Sequence, residues 1–232
     1  MLTKELIHQI EDSSLPVALQ LVADLFAGKV VFSSSLGQED QVITDAICKY
    51  NLGVEIFTLD TGRLFYETYD LIEKTNARFA TNLKIYFPDA TDVETFVSAK
   101  GMNSFYESVE NRKECCNIRK VKPLNRALQG AKVWISGLRA EQSDNRKDMP
   151  MIEWDEQRQL YKFNPLINWS HDEMIAYIKD HNVPYNTLYD KGFTSIGCSP
   201  CTRAIAQGED ARAGRWWWET STKECGLHTS NP

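Results

Sequence analysis

Any fold of this chain has to satisfy its cysteines. Cys115 and Cys116 stand side by side in Glu-Cys-Cys-Asn, and Cys198 and Cys201 form a Cys-x-x-Cys in Gly-Cys-Ser-Pro-Cys-Thr. If the four act together, two stretches far apart in sequence must meet. Four thiolates accept either a zinc ion or an iron-sulfur cluster, since both take soft sulfur ligands in near-tetrahedral arrangement. Paired zinc ligands are usually separated by about two to four residues, and Cys115 and Cys116 have no spacer. Adjacent side chains diverge on a regular backbone, so both reach one centre only where the local geometry is special or the centre is large. A four-iron cube is larger than one zinc ion. Buried structural thiols and a disulfide are the alternatives. Cys225 stands alone in Lys-Glu-Cys-Gly-Leu-His, among groups that suit a reactive thiolate, whereas Cys48, in the apolar helical text Ala46-Ile47-Cys48, reads as a small buried hydrophobe.

The rest of the composition bounds the setting. The 232 residues suffice for one full core, or one core with a small appendage. The opening Met-Leu-Thr-Lys-Glu-Leu-Ile-His is amphipathic without a secretory apolar run, and no stretch is long and apolar enough to suggest a membrane span. A cytoplasmic location with reduced thiols is expected. A net charge of -6 gives no general reason to bind nucleic acid, so an anionic ligand needs a local basic site.

Short apolar runs alternate with helical patterns. Strands are expected at Lys29–Ser33, Val54–Leu59, Leu83–Phe87 and Lys132–Ser136, with helices from about Glu39 to Tyr50 and through Leu71 and Ile72. Strands separated by helices imply a parallel sheet with crossover connections, and the class is α/β. Ile152–Phe163 alternates charged and aromatic residues, as a hairpin or an irregular excursion would. Ser170-His-Asp-Glu173 reads as a capping box ahead of Met174, Ile175, Tyr177 and Ile178. After Pro184 the text is loop-rich. The expected partition is a nucleotide-type α/β core over 1–168 and a cluster-bearing extension over 169–232 packed on it.

Ligands of open α/β sheets bind beyond the carboxyl ends of the strands. Three loops stand there. Ser33-Ser-Ser-Leu-Gly37 precedes a helix and offers amides and hydroxyls to a phosphate-like group, although Ser-rich turns are also common N-caps. Asp60-Thr-Gly-Arg63 is a tight turn that lets a ligand approach backbone. Gly137-Leu-Arg-Ala-Glu-Gln-Ser143 carries Arg139, and Arg146 follows, both candidate anion clamps as well as candidate surface ion pairs.

Together these texts resemble one family. Ser-x-Gly-x-Glu-Asp from Ser35, Leu-Asp-Thr-Gly-Arg from Leu59, Cys-Cys-x-x-Arg-Lys from Cys115, Gly-Leu-Arg from Gly137, the late Cys-x-x-Cys, Gly-Arg-Trp-Trp-Trp-Glu from Gly214 and Lys-Glu-Cys-Gly-Leu-His from Lys223 are similar to the assimilatory adenylylsulfate (APS) reductases. The resemblance runs from about residue 30 to 228. It implies an adenine nucleotide alpha-hydrolase-like fold, a 4Fe-4S cluster on Cys115, Cys116, Cys198 and Cys201, and thioredoxin-dependent reduction of adenylyl sulfate to sulfite and AMP in sulfate assimilation and cysteine biosynthesis. Cys225 would form an S-sulfocysteine intermediate, with Lys120 and His228 as its catalytic companions. Substrate contacts would come from Ser33, Ser34, Ser35, Gly37, Leu59, Thr61, Gly137, Arg139, Arg146, Arg212 and Arg215. The family is commonly oligomeric, so a homo-oligomer is expected, with a separate thioredoxin as electron donor.

That chemistry accounts for the basic residues. A thiolate attacking a sulfonucleotide brings an anion to an anion. Two like charges ~4 Å apart repel by ~4 kcal/mol at an effective dielectric near ~20, which is nearly three decades of rate. Lys120, four residues after Cys116, would share a helical face with that ligand, and guanidinium groups fork onto sulfate or phosphate oxygens. Trp216, Trp217 and Trp218 read as packing. Two positions depart from the family's text: Arg112 stands where certain relatives carry histidine, and Ala140 where many have a second arginine. Rival readings are a phosphoadenylyl sulfate (PAPS) or dual-specificity reductase, an ATP-pyrophosphatase-type enzyme on the same core, and a non-catalytic metal-binding module.

Overall fold

The structure, a computed structural model, describes residues 1–143 and 146–219. Helices α1 (Lys4–Glu11) and α2 (Leu15–Leu25) open the chain. Thr3 caps α1 by accepting from the Leu6 amide, and Pro16 near the start of α2 loses no helical hydrogen bond. Strand β1 (Val30–Ser33) leads into α3 (Gln38–Lys49), β2 (Glu55–Leu59) into α4 (Tyr66–Phe79), and β3 (Lys84–Tyr86) into α5 (Ala90–Lys100). Helices α6 (Val109–Cys116) and α7 (Lys122–Ala127) are joined by a π-helical turn, Asn117–Val121. Then come β4 (Val133–Ile135), the pair β5 (Ile152–Asp155) and β6 (Leu160–Phe163), and α8 (His171–Asp180). The capping box forms as expected: Ser170 Oγ accepts from the Glu173 amide, and Glu173 accepts from the Ser170 amide at 2.8 Å.

The strands form one sheet in the order β3-β2-β1-β4-β6-β5. β1 runs parallel to both β2 and β4, and β4 runs parallel to β6, while β5 pairs antiparallel with β6, placing Ile152 opposite Phe163. The charged and aromatic stretch is therefore a hairpin whose second strand lies inside the sheet, and all four residues of β6 are buried. Lys162 can stand there because Asp155 receives its ammonium at 3.1 Å.

The chain divides into two compact units, one built from residues 1–58, 70–84 and 130–186, the other from 59–69, 85–129 and 187 onward. The expected division at residue 168 falls inside the first unit. The reason is topological: stretches distant in sequence pack together, so each unit draws on three segments and a single cut cannot separate them. The hydrophobic core of buried side chains belongs to the first unit and includes Phe32, Val42, Ile43, Leu71, Ile135, Phe163, Leu166 and Met174. Gln41 is fully buried there, and its amide donates to Thr75 Oγ1 and Pro184 O, both at 2.9 Å. Cys48 is half-buried against this core rather than enclosed by it, and burial pushes its thiol up to about 11.

Candidate metal centre and substrate loops

In the second unit, Cys115, Cys116, Cys198 and Cys201 line one cavity, together with Arg63, Phe105, Arg112, Arg119, Lys120 and Pro200. None of the four thiols is in a disulfide. No group of three or more His, Cys, Asp or Glu side chains is arranged around a single ion among the described residues. The finding is four thiols on one cavity.

Local backbone explains how neighbours in sequence can both face it. Ser108 caps α6 by accepting from the Asn111 amide at 3.1 Å. The cysteine pair ends α6, and the next residues leave the α pattern: the Lys122 amide donates to Asn117 O, five residues back. Such a π turn inserts one residue into the helix and re-aims the side chains that follow. Ile118 and Arg119 are thereby buried and Lys120 half-buried. The second pair sits on a 3-10 turn, Ser199–Cys201, closed by the Cys201 amide donating to Cys198 O at 2.9 Å. Thr202 Oγ1 also donates to Cys198 O, and Tyr106 donates its hydroxyl hydrogen to Pro200 O at 2.6 Å.

The cavity is electropositive around its sulfurs. Arg119 donates to Thr61 O at 2.7 Å, and the Thr61 hydroxyl lies 3.3 Å from Cys198 Sγ. Burial works to raise the Cys198 thiol, but Lys120, Thr61, Arg215 and Arg119 outweigh it and hold it below its ordinary value. Burial pushes Cys201 up to about 12, with Cys198 beside it adding to the rise, and also raises Cys115. Four thiols cannot all ionise in this space unless a cation joins them. Arg215 Nε, Trp216 Nε1 and Trp218 Nε1 are buried donors that find no acceptor among the described residues. On the cavity lining itself, Arg63, Arg112, Arg119 and Lys120 are donors without acceptor capacity, a set that fits a thiolate-bound cluster with acceptor sulfurs and net negative charge.

The turn after β2 belongs to this unit as well. Asp60 Oδ1 accepts from the Gly62 amide at 2.7 Å and from the Tyr69 hydroxyl at 2.9 Å. Gly62 has φ +70, a left-handed conformation natural to glycine, which strains any other side chain there although the nearest atom, an Arg119 guanidinium nitrogen, leaves room for a methyl. The Arg63 amide donates to Thr61 Oγ1, and Arg63 O accepts from the Ser199 amide, so this turn is tied to the Cys-x-x-Cys. Leu59, at the end of β2, is half-buried. Arg215 is buried, stacks on Trp216 at 4.8 Å and lies 3.4 Å from Ser195 Oγ. The Arg212 amide donates to Asp210 at 2.8 Å. Thr61 and Arg215, expected at the substrate, thus lie against the cysteines. Trp216 is packed as expected, while Trp217 is 40% exposed. Cys225 and His228 lie outside the described residues.

In the first unit, the loops after β1 and β4 flank the point where strand order reverses, since β1 has β2 on one side and β4 on the other. The Ser33–Gly37 loop is organised by an internal carboxylate. Ser35 donates its amide and hydroxyl hydrogens to Asp40 Oδ2 at 2.5 and 2.7 Å, and the Gly37 amide adds a third bond. The Leu36 amide donates to Ser34 Oγ at 3.1 Å, and Ser33 Oγ accepts from Trp134 Nε1 at 2.7 Å. Leu36 is buried with φ 62, a strained conformation for a branched side chain. A side chain on Gly137 would collide with the Asp40 carboxylate, so this glycine permits the close approach of the two loops. Arg139 is buried, donating to Glu39 at 2.9 Å and to Glu141 at 3.0 Å, and Arg146 donates to Gln142.

Sequence reasoning missed Arg63 and Arg119 as lining residues and Asp40 as the organiser of the serine loop. Arg119 directly precedes Lys120 within Cys-Cys-x-x-Arg-Lys, but only the π turn shows that both reach the cavity.

Fold and site define an α/β protein with two loops flanking a topological switch point and a cation-rich cavity lined by four cysteines. The chain belongs to the phosphoadenosine phosphosulfate reductase domain family, which matches residues 29–204. It is 52% identical over 200 residues to the adenosine 5'-phosphosulfate reductase of Allochromatium vinosum, covering 86% of this chain and 78% of that protein. It is 50% identical over 213 residues to the enzyme of that name from Agrobacterium fabrum, covering 91% and 82% respectively. Among solved structures, the PAPS reductase of Candida auris in its phosphate complex is similar with a TM-score of 0.73 and 31% identity, over 86% of this chain and 97% of that one. The FMN adenylyltransferase of Candida glabrata in complex with ATP, at 18% identity and a TM-score of 0.54 over 84% of this chain and 61% of that one, shares the fold.

Proposed function

We propose that this chain is an oxidoreductase of sulfate assimilation that reduces adenylyl sulfate to sulfite and AMP, with thioredoxin as electron donor. The observation that carries this reading is the gathering of Cys115, Cys116, Cys198 and Cys201 on one cavity ringed by Arg63, Arg112, Arg119 and Lys120, in a chain whose relatives at about half identity are named adenosine 5'-phosphosulfate reductases. The four cysteines would hold a 4Fe-4S cluster, which supplies fixed charge and ties α6 to the Cys-x-x-Cys turn.

Cys225 would attack the sulfate sulfur as a thiolate. The S–O bond to AMP breaks, AMP takes that electron pair, and Cys225 carries a sulfonate. A thioredoxin thiolate then attacks the Cys225 sulfur, sulfite leaves with the bonding pair, and the second thioredoxin thiol resolves the mixed disulfide. The two electrons come from the dithiol. Lys120, His228, Arg212 and Arg215 would offset charge during attack. Ser33, Ser34, Ser35, Gly37, Leu59, Thr61, Gly137, Arg139 and Arg146 are proposed for nucleotide recognition. Arg139 would then have to share its guanidinium with Glu39.

A cytoplasmic location, in keeping with cysteines that form no disulfide among the described residues, and a homo-oligomer are part of the same reading; among the described residues no helix is long and apolar enough to cross a membrane. Anaerobic assays of sulfite release with reduced thioredoxin test it. Turnover of adenylyl sulfate with little turnover of its 3'-phosphorylated form is expected. Preference for the phosphorylated form would favour the PAPS reductase reading, which the Candida auris similarity keeps in view.

A further inference from the structure

The proposed reaction gives Arg112 no task. It is nevertheless the least exposed charged residue among those described, at 1%. Its Nε and Nη2 donate to the two carboxylate oxygens of Glu219 at 2.8 and 2.9 Å, a fork across the second unit between side chains only 2% and 4% exposed. The same guanidinium stacks on Trp216 at 4.6 Å and hydrogen-bonds Cys116. Trp216 has φ 41, a left-handed conformation that a bulky side chain keeps only when its surroundings hold it there. Those surroundings are Arg112 and Arg215 over its ring, its own amide donating to Cys201 O at 3.2 Å, and the Glu219 amide closing the turn onto Trp216 O at 2.9 Å.

An apolar pair of similar volume would fill the space equally well, so burial alone does not require this ion pair. An arginine fork differs in being directional and permanently charged. It can fix the angle of the turn at 216–219 while its remaining donor addresses a thiol. We propose that Arg112 is a positioning residue that registers this turn, from which the chain runs on to Cys225, against the cysteine Cys116. The inference rests on the reading of Cys225 as nucleophile and of the four cysteines as cluster ligands.

The test uses the full chain, purified anaerobically, with Arg112→Lys and Glu219→Gln. Three quantities are read: tryptic cleavage at the Arg215–Trp216 bond, iron content with the visible absorption of the bound cluster, and the rate at which adenylyl sulfate modifies Cys225. Glu219→Gln is expected to speed cleavage and slow modification by at least about tenfold each while iron stays bound, because breaking one side of a buried pair leaves the other uncompensated. Arg112→Lys is expected to do both and also to shift the absorption, since its contact with Cys116 changes. Glu219→Asp, which keeps the charge and shortens the reach, is expected to recover part of the protection. Wild-type cleavage and absorption in both variants would overturn the proposal. Absence of the Cys225 adduct in the wild type would instead overturn the functional reading, and cleavage and absorption would still decide the role of Arg112.

Discussion

Asp40 shows how a single side chain can organise a ligand loop. Desolvation raises its carboxyl from the ordinary 3.8 to about 7, although Ser35 and Gly37 donate to it. Between those values the native state holds a proton that the unfolded chain has released. The stability this group contributes is whole below about pH 4 and is lost as pH rises through about 7, on the order of 4 kcal/mol in full. Urea unfolding at about pH 5 and about pH 8 should show wild-type stability falling with pH, and Asp40→Asn should flatten the difference; an unchanged slope in the variant would place Asp40 outside this account. Gly137→Ala has a separate cost. Its new methyl meets the Asp40 carboxylate and Glu39, so a loss of about 1–3 kcal/mol is expected by the same unfolding measurement, together with weaker nucleotide binding. Sequence reading found the serine loop from its place after a strand, but not Asp40, because Glu-Asp at the start of a helix looks like ordinary dipole-matched charge.

At the scale of elements, the helix from Val109 to Ala127 depends on its π turn. Deleting Asn117 should restore an unbroken α-helix and rotate Arg119 and Lys120 by about 100° relative to Cys115 and Cys116. The Arg119 bond to Thr61 O would then be lost. Sulfite formation should fall by about a hundredfold or more, while far-ultraviolet circular dichroism changes little. Near-normal activity in the deletion variant would show that the π turn does not set the site. The alternation of strands and helices was legible because apolar periodicity encodes it: β1, α3, β2 and β4 lie within a residue or two of their expected bounds, and α8 starts directly after the expected cap, Ser170. The π turn was not legible, since no residue type in Asn-Ile-Arg-Lys-Val demands it. Nor was the interior place of β6, because the charged and aromatic alternation of Ile152–Phe163 does not show that Asp155 stands beside Lys162.

Across the whole molecule, the cysteine pattern implied that distant stretches meet if the four cysteines act together, and Cys115, Cys116, Cys198 and Cys201 line one cavity. The two compact units were hidden from a linear reading because each is assembled from three separated segments. Central to the proposed function is that Cys225 takes up the sulfonate while the four cavity cysteines hold the cluster. The most direct measurement is the intact mass of anaerobic protein incubated with adenylyl sulfate in the absence of thioredoxin, followed by peptide mapping. One sulfonate adduct on Cys225 is expected, absent from Cys225→Ser, with iron content equal in both proteins. No adduct on a protein whose cluster is intact, or an adduct on a cavity cysteine instead, would contradict it.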